Sequence, residues 1–173
     1  MGPRLRGDDR TFVMARAIFR IEHRLGIPAP APVIWQVLSD LQGWSGWNPL
    51  YPRCEGRLRI GDQLTITEQL PSLEPQTITP VVVDWVPDAQ IIWRTTQTFG
   101  FLQRIRYFEI DALADEGCIF SNGEDWYGRP ARYVKPETRR AMRKGFEAMG
   151  EALKARALAV WREAGGTPTS QAG

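Results

Sequence analysis

The sequence contains few of the residues that carry metal and nucleophilic chemistry. Among 173 residues there is one histidine, His23, and two cysteines, Cys54 and Cys118, whose separation fits no metal-type spacing. A single histidine argues against histidine-rich metal sites, and no nucleophile-elbow motif is present for Ser–His–Asp chemistry. The chain also lacks a glycine-rich phosphate loop and a Rossmann fingerprint. We therefore expect neither a metal nor a cofactor.

Long apolar runs and a strong net charge are also absent. No run of 18 apolar residues occurs, so we expect no transmembrane segment. Twenty-two basic residues against 20 acidic ones leave a net charge of +2, and no base-stacking aromatics interleave with the basic cluster, so we expect no nucleic-acid partner. Without a secretory signal, the two cysteines predict reduced thiols and a cytoplasmic protein.

The length suits one domain with a sizeable core. Residues 1–13 are basic and lack periodicity, which predicts a flexible N-terminal tail. The Gly/Ser/Thr/Pro-rich residues 165–173 predict a flexible C-terminal tail. The domain itself is expected over residues 14–164.

Alternating apolar and polar residues predict β-strands over most of the domain. In Arg16–Ile27, His23 shares an apolar face with Phe19 and Ile21. Helical spacing predicts a short helix over Ala31–Leu38. Six more strands are predicted at Cys54–Arg59, Gln63–Leu70, Gln76–Trp85, Gln90–Thr98, Arg104–Asp111 and Cys118–Tyr127. Their short turns indicate an antiparallel meander.

The last element is a long helix that begins at Pro136 and ends before Gly165. It carries one apolar stripe, formed by Met142, Phe146, Met149, Leu153, Ala157 and Val160. A helix of about 29 residues, roughly 43 Å long, cannot bury this stripe by itself. A curved sheet is the only partner of sufficient size, so we predict an α+β domain in which a seven-stranded antiparallel sheet wraps around this helix.

An aromatic corner, Trp44-Ser45-Gly46-Trp47-Asn48-Pro49, follows the short helix. The two tryptophans lie on one face if the turn is helical. Asn48 precedes a proline, so the chain leaves the helical region there, and the Asn48 side chain is expected to bond the turn backbone.

The order of these elements resembles the START-like or SRPBCC superfamily with its helix-grip fold, and within it the polyketide cyclase/dehydrase-like branch. The resemblance rests on the segments VIWQVLSDLQGWSGWNP (33–49), IIWRT (91–95), YFEID (107–111) and GEDWYG (123–128), together with Gly61. This fold hosts lipid carriers, cyclases, hydroxylase domains and chaperone activators. The resemblance therefore implies a fold with an internal cavity and transfers no catalytic set.

We expect a hydrophobic small molecule, such as a lipid, quinone or polyketide-like compound, to bind in that cavity. The candidate ligand-binding residues are His23, Trp44, Trp47, Tyr51, Trp93, Phe120, Asn122, Glu124, Trp126, Met142, Phe146 and Met149. A core filled by these side chains is the alternative interpretation.

Three functions remain open at this point. The leading one is a carrier or sensor without catalysis. The second is a cyclase, dehydratase or isomerase that uses His23 or Glu124 as acid or base. The third is a protein-interaction module. In addition, seven basic residues and one acid lie between 129 and 144. Two interpretations of this cluster stay open: a solvated face, which is the favoured one, and a site for an anionic group at Arg139 and Arg143, which are four residues apart and share a face.

Overall fold

The computed structural model of the protein describes residues 16–114 and 117–167. The predicted tail at residues 1–13 and most of the one at 165–173 lie outside these ranges. The strands are β1 (Phe19–Ile27), β2 (Arg53–Glu55), β3 (Thr65–Glu68), β4 (Gln76–Ile78), β5 (Val81–Val86), β6 (Gln90–Gln97), β7 (Leu102–Ala114) and β8 (Gly117–Tyr127). The α-helices are α1 (Ala31–Ser39) and α2 (Pro136–Glu163), and short 3-10 helices cover Gln42–Gly46, Thr98–Gly100 and Arg129–Tyr133.

The strands form two antiparallel sheets. One has five strands in the order β1-β8-β7-β6-β5, and the other has the order β2-β3-β4. The first and last strands pair along their whole length, from Phe19 opposite Trp126 to Ile27 opposite Cys118. The predicted helix-grip architecture is therefore present, with eight strands in two sheets where the sequence indicated seven in one.

The extra strand arises because the predicted segment Gln76–Trp85 divides at Thr79 and Pro80. Proline has no N–H to donate to a ladder, so regular pairing stops there. β4 stays in the small sheet and β5 joins the large one. Just before β3, Gln63 forms a bridge with Val81 on β5, and the Leu64 N–H donates to the carbonyl of Pro80 at 2.8 Å, so the two sheets stay connected at this point.

Helix α2 matches its predicted extent, with Pro136 in the first turn. Its apolar stripe packs mainly on β1 and α1. The buried residues are Ala141, Met142, Gly145, Phe146, Met149, Gly150, Leu153 and Ala157. Both faces of this contact are apolar, so their removal from water stabilises the fold.

Gly150 allows α2 to approach β1 closely. A Cβ at this position would lie 2.8 Å from Nδ1 of His23 and 3.0 Å from Cδ2 of Leu25. Real Cβ contacts are longer, so glycine is required here by space rather than by backbone conformation. The imidazole of His23 therefore packs against the helix backbone.

We predict that Gly150→Ala destabilises the protein by about 1–2 kcal/mol. Overpacking against His23 and Leu25 costs roughly 1–3 kcal/mol, and the better helix propensity of alanine offsets at most about 1 kcal/mol of it. Urea unfolding measures the change. Gly46→Ala is the control, because no atom lies within 4 Å of its added Cβ. Equal stability of the two variants would contradict the close approach.

Candidate functional site

In the aromatic corner, the Trp44 and Asn48 side chains are buried and hold the turn through hydrogen bonds to the backbone. The Trp44 side chain is fully buried, and its indole N–H donates to the carbonyl of Leu38 at 2.9 Å. The Asn48 carboxamide oxygen accepts from the backbone N–H groups of Leu50 and Tyr51, both at 3.0 Å, as the sequence predicted. Trp47 is only partly buried and packs edge-on against Trp44.

Four buried aromatic rings extend from this corner into the space between sheet and helix. Trp44 stacks on Tyr51 with ring centroids 5.7 Å apart, and both contact Trp93 on β6. Trp93 in turn meets Phe108 on β7 at 5.0 Å. These edge-to-face and stacked contacts add about 0.5–1.5 kcal/mol each to the burial of apolar area.

The polar residues predicted on the last strand do point inward. Asn122 and Glu124 are buried, at 0% and 1% exposure, between Phe120 and Trp126. His23 lies directly opposite Asn122 in the β1–β8 ladder. Three of the candidate ligand-binding residues, His23, Asn122 and Glu124, thus lie on one face, but no hydrogen bond joins any two of them.

Glu124 belongs instead to a buried ionic network centred on Arg104. The Arg104 guanidinium donates to Glu124 Oε1 at 2.9 Å and to both carboxylate oxygens of Glu68, at 2.7 and 3.2 Å. The indole N–H of Trp126 also donates a hydrogen bond to Glu124 Oε1, at 2.7 Å. All four side chains are nearly inaccessible to solvent. Glu68 lies on β3, so the network joins the small sheet to the large one.

A second buried arginine, Arg106, has only neutral hydrogen-bond acceptors among the described residues. It donates to the Tyr51 hydroxyl at 3.0 Å, to the carbonyl of Gly123 at 2.9 Å and to Asn122 Oδ1 at 2.9 Å. The guanidinium lies between two rings, 4.3 Å from the centroid of Phe108 and 4.0 Å from that of Phe146. Cation–π contacts at desolvated sites reach about 2 kcal/mol.

Two arginines and two glutamates give this interior a balanced formal charge. Burial raises the pKa of the Glu124 carboxyl above its ordinary value, and the positive charge of Arg104 opposes that rise. The carboxyl of Glu68 is close enough to share the Arg104 guanidinium and adds to the rise. A neutral ligand therefore suits this region better than a strongly charged one.

Sequence reasoning missed Arg104, Arg106 and Glu68. Each lies on the inward face of its strand because alternation places it there: Arg104 and Arg106 share a face with Phe108, and Glu68 shares one with Ile66. The period-2 pattern was therefore the available signal. It was overlooked because charged residues are almost never fully buried unless they are paired.

The three candidate ligand-binding residues on α2 are buried. Met142, Phe146 and Met149 are at most 1% exposed, and so are Trp93 and Phe120. All five belong to one cluster of buried apolar side chains. Their role as ligand-contacting residues remains a prediction.

Seven buried side-chain polar atoms lack a hydrogen-bond partner in the described part of the chain, and three of them belong to inward residues of β1 and β6. These three are the Trp93 indole N–H and the Thr95 hydroxyl, both on β6, and Nδ1 of His23. Trp93 and Thr95 are opposite Arg106 and Arg104 in the β6–β7 ladder. The unpartnered groups thus border the buried arginines.

Arg139 and Arg143 line a surface pocket of about 490 Å³ with Arg132 and Arg140. The Arg139 guanidinium lies 4.0 Å from the centroid of the Phe19 ring and donates to the carbonyl of Ala131 at 3.4 Å. Arg140 is exposed and pairs with Glu137 at 3.3 Å. Arg139 and Arg143 therefore face one pocket, as their spacing of four residues indicates, and Arg140 faces it as well. An anion in this pocket remains a proposal.

Cys54 and Cys118 are both free and buried. Across residues 16–114 and 117–167, no three His, Cys, Asp or Glu side chains come together in a group that could hold a metal ion. Within the same residues, no helix combines the length and apolar character needed to cross a bilayer.

The fold and its inward polar face define a helix-grip protein. Residues 19–158 match the sequence profile of the family described as polyketide cyclase/dehydrase and lipid transport. The chain belongs to this family, which supports binding of a hydrophobic ligand or a cyclase role. No curated protein sequence matches the chain significantly.

Solved structures of the START-like class share the fold. A START superfamily protein from Mycobacterium smegmatis is 18% identical, with a TM-score of 0.66 over 82% of this chain and 98% of its own. The Zhui aromatase/cyclase from Streptomyces sp. R1128 is 22% identical, with a TM-score of 0.63 over 86% and 99%. Norcoclaurine synthase from Thalictrum flavum is 17% identical, with a TM-score of 0.63 over 92% and 97%.

The raised pKa of Glu124 predicts a specific pH dependence of stability. A carboxyl whose pKa is higher in the folded state holds more protons when folded, so its contribution is present below pH 4.5 and is lost as the pH rises through the folded pKa. Glu124→Gln keeps the acceptor for Arg104 and Trp126 but cannot titrate. Relative to this variant, the native protein should lose stability as the pH rises above 4.5.

Urea unfolding midpoints at several pH values measure this effect. Glu151→Gln, on the exposed face of α2, is the control and should leave the native pH profile unchanged. Parallel profiles for the native protein and Glu124→Gln would contradict the raised pKa.

Proposed function

We propose that this protein is a carrier or sensor that binds a neutral, oxygen-bearing hydrophobic molecule between the five-stranded sheet and α2. Quinones, lipids and polyketide-like compounds have this chemistry. The reduced state of Cys54 and Cys118 is compatible with a cytoplasmic location. The proposal follows the family membership, and one observation supports the position that we propose for the ligand.

That observation is the pair of unpartnered groups on β6. A buried donor without an acceptor costs about 1–3 kcal/mol, and native proteins rarely keep one without a reason. Trp93 N–H and Thr95 O–H are two such groups on one inward strand face, at 0% and 4% exposure. Carbonyl or hydroxyl oxygens of a ligand are the acceptors that such donors require.

The surroundings select the class of ligand. Phe108, Phe146 and Met149 supply apolar contact around the Arg106 guanidinium, whose N–H groups already have acceptors within the protein. Because the four interior charges balance, a ligand with a full charge would disturb the network. A neutral carbonyl compound would not.

Entry of the ligand requires movement, because these side chains have almost no accessible surface. We therefore expect association well below the diffusion limit. Met149→Ala, which removes a side chain next to the Arg106 guanidinium, should accelerate association by opening space there.

A cyclase role for the same site has one observation in its favour. Burial raises the pKa of Glu124 toward the range useful for proton transfer. However, its Oε1 already accepts from Arg104 and Trp126, and His23 is not hydrogen-bonded to it. Catalysis would need this network to open first, so the carrier role is favoured. Turnover of a poly-carbonyl substrate that disappears in Glu124→Gln, with binding retained, would reverse this order.

Thr95→Val tests the proposal, because it removes the hydroxyl and keeps the shape. In the ligand-free protein the variant should be more stable by about 1 kcal/mol, since an unpartnered polar group leaves the core. Binding of a naphthoquinone, followed by quenching of tryptophan fluorescence, should weaken about three- to tenfold through the lost hydrogen bond.

Thr96→Val is the matched control, because Thr96 is the next residue on β6 and is exposed. It should change neither stability nor binding. The proposal is wrong if Thr95→Val destabilises the free protein and leaves quinone binding intact, or if the native protein binds no quinone at all.

A further inference from the structure

One end of the molecule combines exposed aromatic side chains with a concentration of arginine. Phe99, Phe101 and Tyr133 are 102%, 71% and 84% exposed, which makes them the three most exposed aromatic rings among the described large apolar residues. Phe99 and Phe101 lie in the β6–β7 connection, and Tyr133 lies in the 3-10 helix that precedes α2.

These two segments are in contact. A Cβ on Gly128, which has a φ of 94°, would lie 1.9 Å from the carbonyl oxygen of Phe101. A mainly apolar groove of about 630 Å³ includes Phe101 on one side and Arg129 on the other. The aromatic connection therefore lies beside the start of the basic segment.

The basic segment, residues 129–144, holds seven of the 22 basic residues of the chain but only one of its 20 acidic residues. Four of these residues surround one surface pocket: Arg132, Arg139, Arg140 and Arg143. The pocket adjoins the N-terminus of α2, where backbone N–H groups add partial positive charge. In addition, the buried Arg139 Nε has no partner in the described residues. The rest of the chain has more acids than bases, so the positive charge is concentrated at this end.

The backbone at Thr98 and Phe99 is strained as well. Their φ angles are +52° and +54°, a region that side chains other than glycine rarely adopt. The Phe99 ring on this strained backbone is exposed to water, and neither feature stabilises the isolated protein. Strain that persists in a fold is often connected with binding.

We propose that this end of the protein docks on the surface of an anionic phospholipid bilayer. The rings of Phe99 and Tyr133 enter the interfacial layer, where aromatic side chains are favourable, and Arg132, Arg140 and Arg143 contact lipid phosphates. An acidic protein partner would use the arginines but would need a shaped pocket for each separate ring. A lipid interface accepts them without such a fit.

Sedimentation with vesicles tests the proposal on the complete chain. The probes are vesicles of phosphatidylcholine alone and vesicles containing about one third phosphatidylglycerol. Binding is expected only to the anionic vesicles, and it should weaken in 0.5 M NaCl, because salt screens exposed charges. Arg140→Gln with Arg143→Gln should reduce partitioning roughly thirtyfold, and Phe99→Ser with Tyr133→Ser should reduce it roughly tenfold or more.

Matched controls exist in the same chain. Arg156→Gln with Arg162→Gln removes two exposed charges from the opposite end of α2, and Leu113→Ser removes an exposed apolar side chain from the opposite end of β7. Both should leave partitioning unchanged.

Absence of binding to anionic vesicles overturns the proposal, and an acidic protein partner then becomes the better account of the arginines. If the double arginine variant loses vesicle binding but the Phe99→Ser, Tyr133→Ser variant keeps it, the rings do not enter the lipid layer and that part of the proposal is wrong. The measurement uses no internal ligand, so its outcome is independent of the quinone experiment.

Discussion

Arg104 is the side chain on which the two sheets depend. It lies on β7 of the large sheet, and it contacts Glu124 on the neighbouring strand and Glu68 on the small sheet. Burial of a charged guanidinium is costly unless its N–H groups have acceptors. The two carboxylate oxygens of Glu68 and one of Glu124 supply these acceptors. The position of β3 is therefore tied to the position of β7. Loss of either acid would leave the arginine underpaired and would weaken the junction of the sheets.

The same network shapes the interior in which we place the ligand. Arg104 also lies 4.8 Å from the centroid of Trp126, which stacks on Phe19, which in turn lies under the guanidinium of Arg139. Four planar groups thus close the space between β1, β8 and the start of α2. On the other side of the network, Arg106 and its two flanking rings fill the middle of the sheet. Along β6, the Trp93 indole N–H and the Thr95 hydroxyl are two of the buried groups that have no hydrogen-bond partner among the described residues.

Most of the architecture could be predicted from the sequence, because alternation and helical spacing are local signals. The long helix, the inward face of β8 and the turn at Asn48 all follow from such patterns. The division at Pro80 could also have been predicted, since proline ends a ladder. The Arg104–Glu68 contact could not, because it joins residues 36 positions apart and depends on how the two sheets meet. Equally, periodicity placed His23 on the inward face but gave no sign that it packs against Gly150.

That contact at Gly150 has a mechanical consequence. It lies near the middle of α2, and the helix backbone there touches a strand side chain with no intervening Cβ. The helix therefore cannot slide along the sheet at this point without a steric clash. It can still tilt, with Gly150 as the pivot and with the largest displacement at its two ends. Any enlargement of the interior should accordingly begin with an outward displacement of one end of α2, while the helix stays in contact with β1 at Gly150.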